Sequence, residues 1–129
     1  MQMLQPPITL TRSDRELLEN LLKKAGDKVR HLFLERLEDE VGRARVIDRS
    51  AADGIVTLGD RVVYENLESG QRREVVLVPP DDARAGTELL SVLSPIGCSL
   101  IGLKQGDIFV WDDGPKRWRL QVISVKRAT

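Results

Sequence analysis

Apolar residues recur at two different spacings along this chain. From residue 11 to about 46 they fall three and four positions apart, as on one face of a helix. From 55 to 125 they follow the alternation and short runs of strands. The change of period predicts a helical N-terminal part and a sheet-forming C-terminal part.

The helical part divides in two. Thr11-Arg12-Ser13-Asp14 has the form of a capping box, in which the hydroxyl takes an orphan amide and the acid reaches back to the cap. Leu17, Leu18, Leu21, Leu22 and Ala25 then form one apolar stripe. Lys23 and Lys24 suit the negative end of the helix dipole, and Gly26 suits the position just past it. Asp27 is the expected cap of a second helix, with Val29, Leu32, Phe33, Leu37, Val41 and Ala44 on one side. Glu35, Arg36, Glu38, Asp39, Glu40 and Arg43 are expected mostly on the other, solvated side. Two helices joined by a tight turn predict an antiparallel hairpin whose stripes bury each other, the second helix roughly 27 Å long.

Residues 48–54 are small and polar, as in a linker. Beyond them, 55–58 and 61–67 read as strands, 68–71 as a turn and 72–78 as the strand that pairs back. A loop at 79–86 leads to a further strand at 89–93. Pro95 suits the first position of a helix, so Ser94 is the expected cap of a short helix through residue 101. Residues 108–111 and 118–125 read as a last hairpin, turning near Asp113-Gly114. The predicted organisation is therefore a helical hairpin at 1–47, a linker at 48–54, and at 55–129 a mostly antiparallel sheet with one short helix. That is an α+β arrangement.

Length and charge narrow the function classes. A chain of 129 residues fits one domain, or a small domain with an appendage. Its 20 basic residues interleave with 20 acidic ones. Binding bare nucleic acid through counterion release needs clustered, unopposed cations, so direct affinity for DNA or RNA should be weak or absent. No apolar run is long enough for a membrane span, and the first residues lack the pattern of a signal peptide. Cys98, the single cysteine, sits in an apolar stretch and is expected as a small buried core residue in a reduced, cytoplasmic protein.

Catalytic chemistry is hard to build from these residues. His31 is the single imidazole and reads as a surface residue of the helical part rather than a base. The phosphate-binding and dinucleotide-binding glycine motifs are missing, and one Cys with one His does not make a structural zinc site. Asp81-Asp82 and Asp112-Asp113 fall in predicted turns, where Asp bonds its own backbone. Glu38-Asp39-Glu40 reads as a solvated helix face. Trp111 and Trp118 flank the last turn and are expected to face each other as a packing pair.

The stretch from Ser94 to Gly106 reads physically as a capped short helix and a turn, with Gly97, Gly102 and Gly106 at bends or close approaches. Its residues also carry a resemblance. Ser91-Val92-Leu93-Ser94-Pro95-Ile96, followed by Leu100-Ile101-Gly102 and Gly106-Asp107, resembles the C-terminal domain of the GreA and GreB transcription factors. Asp60-Arg61-Val62 and Asn66-Leu67-Glu68-Ser69-Gly70 fit the same pattern upstream. Ile8-Thr9-Leu10-Thr11 with Asp14, Leu37-Glu38-Asp39-Glu40 and Arg43-Ala44 are similar to the short-armed Rnk branch of that superfamily, named for regulation of nucleoside diphosphate kinase.

The resemblance implies an FKBP-like C-terminal domain, a coiled-coil arm and docking on RNA polymerase near its secondary channel. The polymerase contact carries over to Ser94, Pro95 and Ile96, with Leu93 where Gre factors commonly have an acid or amide. Gre arms end in two carboxylates that help hold a metal for transcript cleavage. Here the arm tip is Lys23, Lys24, Asp27 and Lys28, with one acid. The expectation is a monomeric, non-catalytic regulator without cofactor that competes with Gre-type factors and affects the kinase indirectly. The alternative is a cleavage-stimulating factor. A prolyl isomerase is disfavoured because the chain has five aromatic residues with which to line a pocket.

Overall fold

The computed structural model describes residues 7–25, 31–112 and 117–127. The order of elements is β1 (Thr9–Thr11), α1 (Arg12–Ala25), α2 (Leu32–Arg43), β2 (Arg45–Ile47), β3 (Arg61–Asn66), β4 (Arg72–Val78), β5 (Leu89–Ser91), α3 (Pro95–Leu100), β6 (Ile108–Asp112) and β7 (Arg117–Lys126). β3 to β7 form one sheet in the order β5-β4-β3-β7-β6, antiparallel except for the parallel β4–β5 pair. The α+β reading, with helices first and sheet after, stands.

Thr11 caps α1 as its sequence suggests: its Oγ1 accepts the Asp14 N–H at 3.2 Å. The acid of that capping box does something else. Asp14 Oδ2 accepts the N–H of Leu58 at 3.1 Å, 44 residues away, and Asp14 is 6% exposed. Arg49 reaches Thr57 and Asp60 at 3.5 Å each, and the Thr57 hydroxyl donates to Asp60. Residues 48–54 therefore hold a 3-10 turn at Arg49–Ala51 and a buried Ala52, tied by Arg49 to the start of the sheet region.

The second helix departs from the sequence reading at both ends. It starts at Leu32, capped by His31 rather than Asp27, which lies outside the described residues. It stops at Arg43 because Arg45–Ile47 pairs in parallel with Thr9–Thr11. Twelve residues make about 18 Å, not 27 Å. No strand forms at 55–58; an isolated bridge joins Ile55 to Lys104.

The largest difference is what α2 packs against. Leu34, Leu37 and Val41 are buried, whereas Leu32, expected on the apolar side, is 56% exposed. Phe33 meets the sheet: its ring centre lies 5.1 Å from Trp111, 5.6 Å from Trp118 and 6.1 Å from Phe109. Trp111 and Trp118 are directly opposed across β6 and β7, as their spacing predicts, and Phe33 covers the pair. One apolar cluster runs from Leu18 and Leu22 of α1 through Leu37 to Val62, Leu77, Phe109 and Leu120 of the sheet. The two helical stripes do not bury each other alone.

This placement buries charges that the pattern assigns to solvent. Arg36 (6% exposed) lies over the Phe109 ring, its guanidinium carbon 4.6 Å from the centroid. Glu40 (2% exposed) sits 4.0 Å from Arg36 and accepts a 2.6 Å bond from Arg43. Burial lowers the Arg36 guanidinium from its ordinary value and Glu40 opposes that shift. Cys98 is buried, as its apolar neighbours suggest.

Two outcomes follow from these contacts. Phe33→Ala removes the ring between helix and sheet and should cost about 3 kcal/mol, read from urea unfolding, with a shift in tryptophan emission. Asp14 gives a pH signature. Burial holds its carboxyl above the ordinary 3.8, against the opposing Leu58 N–H and Arg49. A raised folded value means that the Asp14 contribution is fully present below 3.8 and lost as pH rises through the folded value. The stability of the wild type relative to Asp14→Asn should therefore improve as urea unfolding is moved from pH 7 towards pH 4.

Candidate functional site

Ser94, Pro95 and Ile96 occupy the turn from β5 into α3. The chain must reverse sharply after Ser91, and the side chains of Ser91 and Ser94 arrange it. Ser94 Oγ accepts the Gly97 N–H at 3.1 Å, capping α3, and donates to the Ser91 carbonyl at 2.7 Å. Ser94 N–H donates to the same carbonyl at 3.0 Å, and Leu93 N–H donates to Ser91 Oγ at 3.1 Å. Pro95 follows at the first helical position, where its missing N–H costs nothing.

The glycines serve the same turn. A Cβ on Gly97 would lie 2.3 Å from the Ser91 carbonyl oxygen and 2.8 Å from Val92 Cα. α3 can approach β5 this closely because residue 97 has no side chain. At the far end of α3, Gly102 adopts φ +81° and its carbonyl accepts the Thr9 N–H at 3.0 Å. A Cβ there would stand 2.8 Å from Ile8 Cβ. The motif glycines thus seat α3 between β5 and the strand that leads into α1.

The three candidate docking residues divide by chemistry. The Ser94 hydroxyl is engaged by the turn, and Ile96 is half-buried against the core. Pro95 is exposed, a rigid apolar ring presented on a braced turn.

The tip of the helical part is less remote from this turn than its place in the sequence suggests. Lys24, Leu21 and Ala25 of α1 line a groove of about 300 Å³ with Pro79, Pro80, Asp81 and Leu93. Lys24 and the residue preceding Ser94 thus share one depression. Lys23 lines a different groove, with Glu19, Leu22, Glu38, Val41 and Gly42. Asp27 and Lys28 lie outside the described residues.

His31 is not the surface residue that the sequence suggests. Its ring is half-buried, with Nδ1 3.0 Å from the Leu34 amide and Nε2 2.8 Å from the Leu93 carbonyl oxygen. A histidine immediately before a helical run is a legible capping candidate, but its second partner is 62 residues away. Of the paired acids, Asp81 and Asp82 lie in a 3-10 turn and Asp112 faces Arg117 at 3.5 Å; Asp113 is outside the described residues.

Ser94, Pro95 and Ile96 thus form a braced turn on an α+β sheet, with two short helices packed against the same core. Residues 51–127 match the family described as "Transcription elongation factor, GreA/GreB, C-term", and residues 6–47 match "Rnk N-terminus". The chain belongs to the GreA/GreB transcription elongation factor family, with a helical part of the Rnk type.

It is 32% identical over 113 residues to transcription elongation factor GreA of Thermotoga maritima, spanning 88% of this chain and 69% of that protein. It is 31% identical over 114 residues to the regulator of nucleoside diphosphate kinase of Escherichia coli K12, spanning 85% and 81%. A solved GreA/GreB elongation factor from Nitrosomonas europaea superimposes with a TM-score of 0.73 at 30% identity, covering 95% of this chain and 100% of the other.

The turn geometry ranks three substitutions by stability. Gly97→Ala forces a methyl group into the Ser91 carbonyl and should cost about 1–3 kcal/mol. Ser94→Ala loses the cap, about 1 kcal/mol. Pro95→Ala, at an exposed position, should stay within about 0.5 kcal/mol. Thermal unfolding of the three variants checks the order.

Proposed function

We propose that this chain is a non-catalytic regulator that docks on bacterial RNA polymerase near its secondary channel and competes there with Gre-type factors. The observation that carries the reading is the Ser94-Pro95-Ile96 turn, held by three bonds to Ser91 and presenting Pro95 to solvent on a GreA/GreB-family sheet. An exposed ring on a pre-organised turn loses little entropy when a partner covers it.

The same reading takes the sheet with α3 as FKBP-like and the two helices as a short coiled-coil arm. The division into 1–47, a linker at 48–54 and 55–129 is supported by the two family matches, which meet between residues 47 and 51. By its sequence the arm tip is Lys23, Lys24, Asp27 and Lys28. Metal-assisted cleavage needs hard oxygen ligands gathered at one place. The tip sequence 23–28 supplies one carboxylate among three lysines, and the helices span only about 21 and 18 Å. The protein acts as a monomer in the cytoplasm, where polymerase is, with weak or no direct DNA or RNA binding. An effect on nucleoside diphosphate kinase is indirect, through transcription. No helix among the described residues is long and apolar enough to cross a membrane.

The test is binding to core polymerase in competition with a Gre factor. The wild type should displace the Gre factor, and Pro95→Ala should weaken binding about tenfold, which corresponds to about 1.4 kcal/mol. Stalled, backtracked complexes should keep their transcripts at full length in its presence. Shortened transcripts would favour the cleavage-stimulating alternative, and failure to bind polymerase would overturn the reading.

A further inference from the structure

His31 stands apart from the residues used so far. It belongs to neither the docking turn nor the arm tip, yet it touches the start of α2 and the peptide before Ser94. Its hydrogen bonds fix its chemistry. The Leu34 amide can only donate, so Nδ1, 3.0 Å away, must present its lone pair. The proton of the neutral ring is then on Nε2, and the Leu93 carbonyl 2.8 Å away can only accept. One tautomer satisfies both bonds.

The consequence lies in the Leu93–Ser94 peptide plane. Its carbonyl oxygen is held by His31 Nε2 and its amide hydrogen, on Ser94 N, by the Ser91 carbonyl at 3.0 Å. A planar peptide gripped at both its oxygen and its hydrogen has no remaining freedom to rotate about its flanking torsions. Pro95 follows one residue later with its own φ restricted by the ring. The direction in which Pro95 points is therefore inherited from a plane that α2 holds on one side and β5 on the other.

We infer that His31 is a positioning residue for the docking turn: by bonding the Leu93 carbonyl from the N-cap of α2, it sets the orientation in which Pro95 meets its partner. The inference rests on the proposed polymerase-docking reading and deepens it. The helical part then contributes to binding through the turn that it aims, with no contact of His31 to the partner.

Two substitutions separate the cap from the latch. Asn places an oxygen near Nδ1, among the best N-cap groups, and does not extend to Leu93. Gln extends a donor towards the Nε2 position and is a poor cap. Thermal stability and helicity should follow the cap, near wild type for His31→Asn and lower for His31→Gln. Polymerase affinity should follow the latch, near wild type for His31→Gln and about tenfold weaker for His31→Asn. Combining His31→Asn with Pro95→Ala should cost less than the sum of the two, because one acts through the other. Nitrogen NMR of the wild-type ring should show the proton on Nε2, and exchange of the Ser94 amide should accelerate in His31→Asn.

Equal affinity of the two variants, or additive losses in the double variant, overturns the inference while polymerase binding stands. If the wild type does not bind polymerase, the docking reading fails instead. The ring tautomer and Ser94 exchange then still decide the latch: a proton on Nδ1, or unchanged exchange, overturns it.

Discussion

The seating of Phe33 on Phe109, Trp111 and Trp118 is the contact from which the rest of the arrangement follows. Aromatic rings bring the largest apolar area of any side chain, and this one closes the face of the β6–β7 hairpin. Once Phe33 is there, the first turn of α2 is fixed on the sheet. Two residues earlier, His31 comes within reach of Leu93. Leu37 and Val41, one and two turns on, are carried into the same cluster as Leu18 and Leu22. α1 in turn lays Lys24 beside Leu93. The helices are thereby part of the sheet's core, and the turn at Ser94 has a helical side as well as a strand side.

Two buried polar groupings make this seating specific. Arg36 and Glu40 would be inexpensive on a solvated face and are costly where α2 puts them. Buried charges are tolerated when paired, and here Phe109, Arg43 and the pair itself supply some of the compensation. At the start of α1, Asp14 takes the Leu58 amide while Arg49 spans Thr57 and Asp60. Arg36 Nε and Nη2 and Glu40 Oε2 are buried without hydrogen-bond partners among the described residues, so the pair remains a cost that the Phe109 ring and Arg43 offset only in part. A shift of α2 by a turn would strand a charge in apolar surroundings, which apolar contacts alone would not forbid.

The turn at residues 94–96 shows how many residues of a short motif the fold itself requires. Ser94 and Gly97 are consumed by the turn, through a cap and a close approach of backbones. Pro95 is what remains exposed. Most members of the motif are thus engaged in holding the turn, and one exposed ring is left over.

Much of this was legible in the residues. The helical and strand periods, the caps at Thr11 and Ser94, the opposed tryptophans and the burial of Cys98 all depend on neighbours within a turn or a hairpin, so local chemistry determines them. The bond of Asp14 to Leu58, the position of His31, the burial of Arg36 and Glu40, and the early end of α2 depend on partners far along the chain. Leu58 lies 44 residues from Asp14 and Leu93 62 residues from His31. An amphipathic helix announces which face it will bury but not what it will meet, since apolar burial is non-directional. Only the packed sheet, with Phe109 and the two tryptophans in place, decided that α2 would cover it and so bring His31 against the turn before Ser94.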